Sequence, residues 1–204
     1  MNATTLALLI ASTAHAQVQT CTFEDLPEPT VPSSNFEFIV SSPIGNYQGF
    51  EFLSNLVVPP FSGRWAYYDI KDVDFGGYDN GIVGSRALFT IYGSDAANGF
   101  RIRRDELWRF LGADLTTAWE ALDLTFTGYR DGSVVWSRTL SIPSMVRTTL
   151  EFDEVAIDTV KMSGFSPNSP INHFILDNLS YEIVPAPSAL ALLVVAGAVR
   201  TRRR

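Results

Sequence analysis

The feature that most constrains the fold is a pair of strand-like segments joined by an Asp-Gly turn. Residues 122–129 and residues 134–141 are both rich in β-branched and aromatic side chains, and Asp131-Gly132 lies between them. An Asp-Gly pair between two such segments is a strong signal for a β-hairpin. The middle of the chain is therefore predicted to be antiparallel β structure.

The rest of the body, residues 17–183, repeats this pattern of short strands separated by turn residues. Asp79-Asn80-Gly81 is a second turn signal, and residues 113–122 fit a helix or a strand equally well. About nine to eleven short strands at nearly regular spacing predict an all-β fold, an antiparallel β-sandwich of jelly-roll type. The other predicted strands are residues 21–26, 36–40, 47–52, 65–70, 87–92, 107–112, 148–152, 157–162 and 173–181.

The N-terminal segment, residues 1–16, has the pattern of a secretory signal peptide. A short apolar core at residues 6–11 is followed by Ala14-His15-Ala16, which matches an Ala-x-Ala cleavage site. We expect this segment to form a short helix during export and to be removed after Ala16. The body would then be outside the cytoplasm.

The C-terminal segment, residues 184–204, has three parts: a proline-containing step, an apolar run at residues 189–199 and an arginine-rich end. The apolar run would cover only about half of a hydrocarbon core near 30 Å thick if it were helical. Its arginines favour the cytoplasmic side of a membrane. The segment is predicted to be a sorting tail, and an ordinary C-terminal membrane helix is the alternative. The residues that define the tail are Val184, Pro185, Ala186, Pro187, Arg202, Arg203 and Arg204.

The charge of the body excludes one class of partner. All 22 acidic residues lie in residues 17–183, against 11 of the 15 basic residues, which gives the body a formal charge of −11. An acidic surface repels nucleic acid and anionic lipid, so we expect no nucleic-acid partner. Cys21 is the only cysteine, so no intramolecular disulfide can form.

The tail resembles the PEP-CTERM sorting signal of exported bacterial proteins. The resemblance lies in the order Val184-Pro185-Ala186-Pro187, short apolar helix and arginine-rich terminus, with Ala186 where that family usually has Glu. It implies processing by an exosortase-like protease after transient anchoring in the inner membrane. The implied destination is the cell envelope, the outer surface or the extracellular matrix.

The body resembles the β-sandwich domains that many PEP-CTERM proteins carry, which in turn resemble carbohydrate-binding jelly rolls. Residues 23–26, 80–81, 128–132 and 174–179 carry this likeness. Carbohydrate-binding jelly rolls often hold a structural Ca²⁺ with acids from the first and last strands. The resemblance therefore implies a calcium site formed by Glu24, Asp25 and Asp177, with oxygen ligands that suit Ca²⁺. A hydrogen-bonding turn at Asp177 and a solvated Glu24-Asp25 pair are the alternative.

Catalytic motifs are not found in the sequence. His173 is the only histidine outside the signal peptide, and no Gly-x-Ser-x-Gly elbow, His-Glu-x-x-His motif or glycine-rich phosphate loop occurs. We therefore predict that the protein is not an enzyme. A glycan-acting hydrolase with two carboxylates stays open as an alternative.

Aromatic side chains are the candidates for contact with a glycan, because sugar rings stack on aromatic faces beside a few polar groups. Trp65, Tyr67 and Tyr68 follow a Pro-Phe-Ser-Gly loop and are the predicted ligand-binding residues, with core packing as the alternative for Trp65 and Tyr67. The other tryptophans are predicted to lie in the core: Trp108, Trp119 and Trp136. The resulting hypothesis is an exported, non-catalytic protein that binds extracellular polysaccharide, and the alternative is a purely structural surface protein.

Overall fold

A computed structural model describes residues 17–33, 36–54, 65–69, 71, 78, 80, 84–90, 99–165 and 173–185. Within these ranges the protein is all-β, with thirteen strands and no α-helix. The strands are β1 (Val18–Cys21), β2 (Val31–Ser33), β3 (Phe36–Ile44), β4 (Asn46–Tyr47), β5 (Phe50–Leu53), β6 (Trp65–Asp69), β7 (Arg86–Phe89), β8 (Phe100–Thr117), β9 (Leu122–Arg130), β10 (Ser133–Ile142), β11 (Thr148–Glu151), β12 (Ile157–Phe165) and β13 (Phe174–Ile183).

The strands form one large antiparallel sheet that bends around β8. The order along the sheet is β10-β9-β12-β8-β13-β7-β6-β3-β2, and β1, β4, β5 and β11 pair beside this path. The first half of β8 lies between β12 and β5, and its second half lies between β11 and β13. A single strand that changes partners halfway connects the two halves of a β-sandwich-like arrangement.

An irregular segment marks the point where β8 changes partners. Arg103 lies opposite Thr159 and Trp108 lies opposite Ile157, so residues 104–107 of β8 face the single residue Asp158 of β12. Extra residues on one strand of a pair bend that strand and increase its local twist. This bulge therefore redirects β8 from one half of the sheet to the other.

The predicted hairpin is confirmed. Strands β9 and β10 pair from Ser133 opposite Arg130 to Ile142 opposite Leu122. The two turn residues, Asp131 and Gly132, have φ angles of 50° and 74°. Two positive φ values in a two-residue loop are typical of a type I′ turn, whose twist matches that of the flanking strands.

The first and last strands of the described chain also pair with each other. Strand β1 runs antiparallel to the end of β13, with Val18 opposite Glu182 and Cys21 opposite Leu179. Residues 113–117, which fitted a helix or a strand, belong to β8. They lie between β11 and β13, so tertiary pairing decides their conformation.

A single apolar cluster fills the space between the two halves of the sheet. Aromatic rings dominate it, and many meet edge to face, as Trp65 does with Phe100 at 5.2 Å between centroids. Edge-to-face pairs bring the positive ring edge to the negative ring face. Burying a large apolar side chain contributes roughly 2–3 kcal/mol, so this aromatic core is the main source of stability.

Candidate functional site

The described surface contains an open groove of about 890 Å³, which we call the charged groove. It lies where the bulge of β8, the start of β12 and the β9–β10 turn come together. The lining is more polar than apolar and carries four cationic side chains and three carboxylates. The residues that line it are Arg101, Arg103, Arg104, Asp105, Leu107, Tyr129, Asp131, Gly132, Asp158, Thr159 and Lys161.

Asp158 holds the floor of the groove together. Its Oδ2 accepts a hydrogen bond from the backbone N–H of Asp131 at 2.5 Å, and its Oδ1 accepts one from the Thr159 hydroxyl at 2.7 Å. Its backbone carbonyl accepts a hydrogen bond from the indole of Trp108 at 3.1 Å. These bonds attach the hairpin turn to β12 and β8, so the shape of the groove is fixed by the fold.

Two rows of side chains cross the groove on the outer face of the sheet. In one row Arg103, Thr159 and Tyr129 are register partners on β8, β12 and β9. In the next row Arg101 and Lys161 are partners. Directly paired residues project from the same face of a sheet, and the buried Ile102 between the arginines confirms that they face outward.

Arg104 serves mainly to hold the groove wall in place. Its guanidinium lies 5.0 Å from the centroid of the Phe50 ring and donates to the carbonyl oxygen of Gln48 at 2.7 Å. It also donates to Glu106 at 2.9 Å. A cation over an aromatic face with two hydrogen-bond acceptors has little capacity left for a ligand.

Arg103 and Lys161 are held less tightly by ion pairs than Arg104, whose pair with Glu106 measures 2.9 Å. The Arg103 side chain is 52% exposed and forms long ion pairs with Glu51 at 3.7 Å and Asp105 at 3.4 Å. Lys161 is half-buried because its methylene chain crosses Gly99, where an added Cβ would overlap it. Lys161 makes no ion pair with any carboxylate that the structure describes.

The aromatic residues predicted to bind a ligand lie in the core. Trp65, Tyr67 and Tyr68 are at most 4% exposed. The Trp65 indole donates to the carbonyl oxygen of Leu53 at 3.1 Å, and the Tyr68 hydroxyl donates to the carbonyl oxygen of Tyr78. These rings therefore present no face to a ligand in solution, and the surroundings of Trp65 and Tyr67 match the alternative of core packing.

The assignment of Trp119 to the core was wrong. Trp108 and Trp136 are buried as predicted, whereas Trp119 is 39% exposed in the connection between β8 and β9. Its ring and the Tyr78 ring pack edge to face with 6.0 Å between their centroids, and part of the Trp119 ring is exposed to solvent. It lies at the opposite end of β9 from the charged groove.

Glu24 has protein partners of its own. Its carboxylate accepts hydrogen bonds from the backbone N–H of Ser85 at 2.9 Å and from the Ser85 hydroxyl at 2.6 Å. Arg86 donates its backbone N–H to the same carboxylate at 3.3 Å and its guanidinium to the carbonyl oxygen of Glu24 at 2.8 Å. Burial alone would raise the pKa of Glu24, but the hydrogen bonds from Ser85 and Arg86 outweigh it and lower the pKa.

The other two predicted calcium ligands are also engaged separately. Asp25 accepts a hydrogen bond from the Tyr47 hydroxyl. Asp177 is buried, accepts the backbone N–H of Asn178 at 2.7 Å, and is the register partner of Asp114 on β8. Among the residues with described positions, no three His, Cys, Asp or Glu side chains are grouped as metal ligands.

Burial keeps both His173 and Cys21 in their uncharged forms at neutral pH. Burial lowers the pKa of His173 to about 4, against the opposing effect of its hydrogen bond to the carbonyl oxygen of Thr90. Burial raises the pKa of the Cys21 thiol to about 12, and this thiol donates to Gln48 Oε1 at 3.1 Å. At neutral pH the imidazole is uncharged and the thiol is protonated, so Cys21 is a poor nucleophile.

Only the first two residues of the sorting motif are described. The backbone N–H of Val184 donates to the carbonyl oxygen of Leu107 at 2.9 Å, and Pro185 is exposed. Ala186, Pro187, Arg202, Arg203 and Arg204 lie outside the described residues, as does the predicted signal peptide. The described parts of the chain contain no helix with the length and apolar character needed to cross a membrane.

Sequence reasoning did not identify the residues of the charged groove. The available signal was the alternation of apolar and basic residues at the start of β8, where Phe100 and Ile102 alternate with Arg101 and Arg103. In comparisons with known proteins, no family model and no curated protein matches the chain.

Proposed function

We propose that the protein is an exported, non-catalytic polysaccharide-binding protein whose body is a jelly-roll β-sandwich. The observation that carries this proposal is the charged groove, which combines an aromatic side chain, Tyr129, with hydroxyl and charged groups on the outer face of the sheet. Shallow sites of this composition suit sugar rings, which offer apolar faces and many hydroxyl groups. A purely structural surface protein is the alternative.

The export route is part of the proposal and rests on the sequence. The pattern of residues 1–16 supports removal of a signal peptide, and the PEP-CTERM-like tail supports processing by an exosortase-like protease. Intact-mass analysis of the protein from its native host should show a chain that begins at Gln17 and has lost the arginine-rich end. Recovery of a chain that begins at Met1 and ends at Arg204 would contradict this route.

Polysaccharide binding is tested with one tyrosine variant and one tryptophan variant, at residues near opposite ends of β9. We expect Tyr129→Ala to weaken binding of the full-length chain to extracellular polysaccharide by about fivefold, because stacking of an aromatic ring on a sugar contributes on the order of 1 kcal/mol. Trp119→Ala, the matched control, should bind as the wild type does. Affinity electrophoresis in gels containing the polysaccharide measures both.

Two outcomes would contradict the assignment. If Trp119→Ala loses binding while Tyr129→Ala keeps it, the exposed tryptophan and not the groove is the binding site. If the wild-type chain is not retarded by any extracellular polysaccharide, the structural alternative is favoured.

A further inference from the structure

We propose that the charged groove selects a polysaccharide with carboxylate-bearing sugars, and that Arg103 and Lys161 bind the carboxylate. This inference rests on the proposed function and names the substrate class of the same site. Tyr129 would lie under the sugar ring that carries the carboxylate.

The register of the sheet places these three side chains around one position. Arg103 and Tyr129 lie on either side of Thr159 in one row, and Lys161 is two residues further along β12. Neighbouring strands are about 4.7–4.9 Å apart, and diagonal neighbours are about 7–8 Å apart. Long side chains such as arginine and lysine can converge over that distance on a single carboxylate.

Arg103 can exchange its present partners for a ligand at little cost. Its ion pairs with Glu51 and Asp105 are longer than 3.3 Å, and the Asp105 side chain is 91% exposed. Exposed ion pairs of this kind contribute little to stability because water screens them. A ligand carboxylate in the groove could instead accept two parallel hydrogen bonds from the guanidinium, which is the stronger arrangement.

Lys161 supplies a second positive charge. Its ammonium group has no carboxylate partner among the described residues, and its methylene chain is held against Gly99. A partly ordered lysine loses less side-chain entropy when it binds a ligand than a fully free one.

The charge of the whole body directs an anionic polymer to this groove. Four of the body's 11 basic residues line it, against three carboxylates, whereas the body as a whole has a formal charge of −11. An anionic chain is repelled by the rest of the surface and is attracted only where cations are concentrated. Selectivity for the groove therefore follows from attraction at the site and repulsion elsewhere.

The test compares polygalacturonate with its methyl ester, which has the same sugar backbone without the charge. The full-length wild-type chain should bind polygalacturonate at least about tenfold more tightly than the ester at low ionic strength, and added salt should reduce this difference. The double variant Arg103→Gln, Lys161→Gln should lose that preference. The charge-preserving double variant Arg103→Lys, Lys161→Arg should retain most of it.

The control is Arg147→Gln, which removes an exposed positive charge outside the groove and should bind like the wild type. Equal affinity of the wild type for the acid and the ester would overturn the carboxylate inference and leave polysaccharide binding intact. Absence of binding to both glycans and to any other polysaccharide would overturn the proposed function itself.

Two further ligands test which anionic group the charged groove selects. Tighter binding of dextran sulfate than of polygalacturonate would show that the groove selects sulfate and would contradict the carboxylate assignment. Equal binding of single-stranded DNA would show an unspecific polyanion site and would contradict it as well. Weak binding of both ligands supports it.

Discussion

At the scale of single residues, burial fixes the protonation state of His173. The imidazole lies in the core beside the Tyr78 ring, and its Nδ1–H donates to the carbonyl oxygen of Thr90. A charged imidazolium would lose its hydration there, so the folded protein keeps this histidine neutral at a pH where the unfolded chain begins to protonate it. Protonation of His173 is therefore linked to folding.

We expect the free energy of unfolding to fall as the pH is lowered from about 6.5 to about 4. In this window the unfolded chain binds a proton at His173 and the folded chain does not, so acid favours unfolding. Above about 6.5 the contribution of His173 is fully present. The loss should be on the order of 3 kcal/mol, since each pKa unit corresponds to about 1.4 kcal/mol.

Urea unfolding at a series of pH values measures this effect. His173→Gln keeps a hydrogen-bond donor without a titrating group, so its stability should vary less between pH 6.5 and 4 than that of the wild type. Equal slopes for the two proteins in this range would show that other groups cause the acid sensitivity.

At the scale of elements, the β9–β10 hairpin depends on a close contact between Gly128 and Trp136. The two residues are register partners, and a Cβ on Gly128 would overlap the indole ring. Trp136 is buried in this position, where its Nε1–H donates to the carbonyl oxygen of Val155 at 3.3 Å and its ring packs against Phe152. Glycine is therefore required here for space.

We expect Gly128→Ala to destabilise the protein by about 1–3 kcal/mol, because the methyl group displaces a buried ring from its packed position. Gly132→Ala in the same hairpin meets no atom within 4 Å and should cost about 1 kcal/mol through its φ of 74° alone. Chemical denaturation gives both values. The near-ultraviolet circular dichroism spectrum should change for Gly128→Ala only. If Gly128→Ala left the spectrum unchanged and cost no more stability than Gly132→Ala, the packing argument would be refuted.

The elements that the sequence predicted well are those defined by local chemistry. Asp131-Gly132 indicated the hairpin because its turn requires two positive φ angles. Strand β2 was not predicted because Pro32 reads as a strand breaker, but β2 lies at the end of the sheet order, where proline is tolerated. The first half of β8 was not predicted because residues 101–106 are mostly charged and resemble a loop.

The exposure of individual aromatic residues could not be predicted from the sequence. Trp65 and Trp119 both stand in mixed apolar and polar segments, yet the first is fully buried and the second is 39% exposed. Trp65 contacts Phe100 and Phe174, which come from strands distant in sequence. Burial of this kind depends on which strands become neighbours, and a single sequence does not specify that.

At the scale of the whole molecule, the charged groove is a product of topology. Its cations come from β8 and β12, whose residues 101 and 161 become partners only through the order of the sheet. The composition revealed an acidic body, but it could not reveal that basic residues are concentrated at one place. The lining of the charged groove therefore has a positive formal charge, whereas the body as a whole has a negative one.

The first and last strands of the described body are neighbours in the sheet, so the two ends of the body lie close together. Val18 lies opposite Glu182, and the backbone N–H of Val184 donates to Leu107 on the rim of the groove. A short peptide could join these ends, and the chain could be reopened at residues 143–147 without loss of any strand pair described above. Such a circular permutant would keep the same sheet, and its new termini would lie at the other end of the β9–β10 hairpin from the groove. The chain could then be attached to a surface through its termini without blocking the groove.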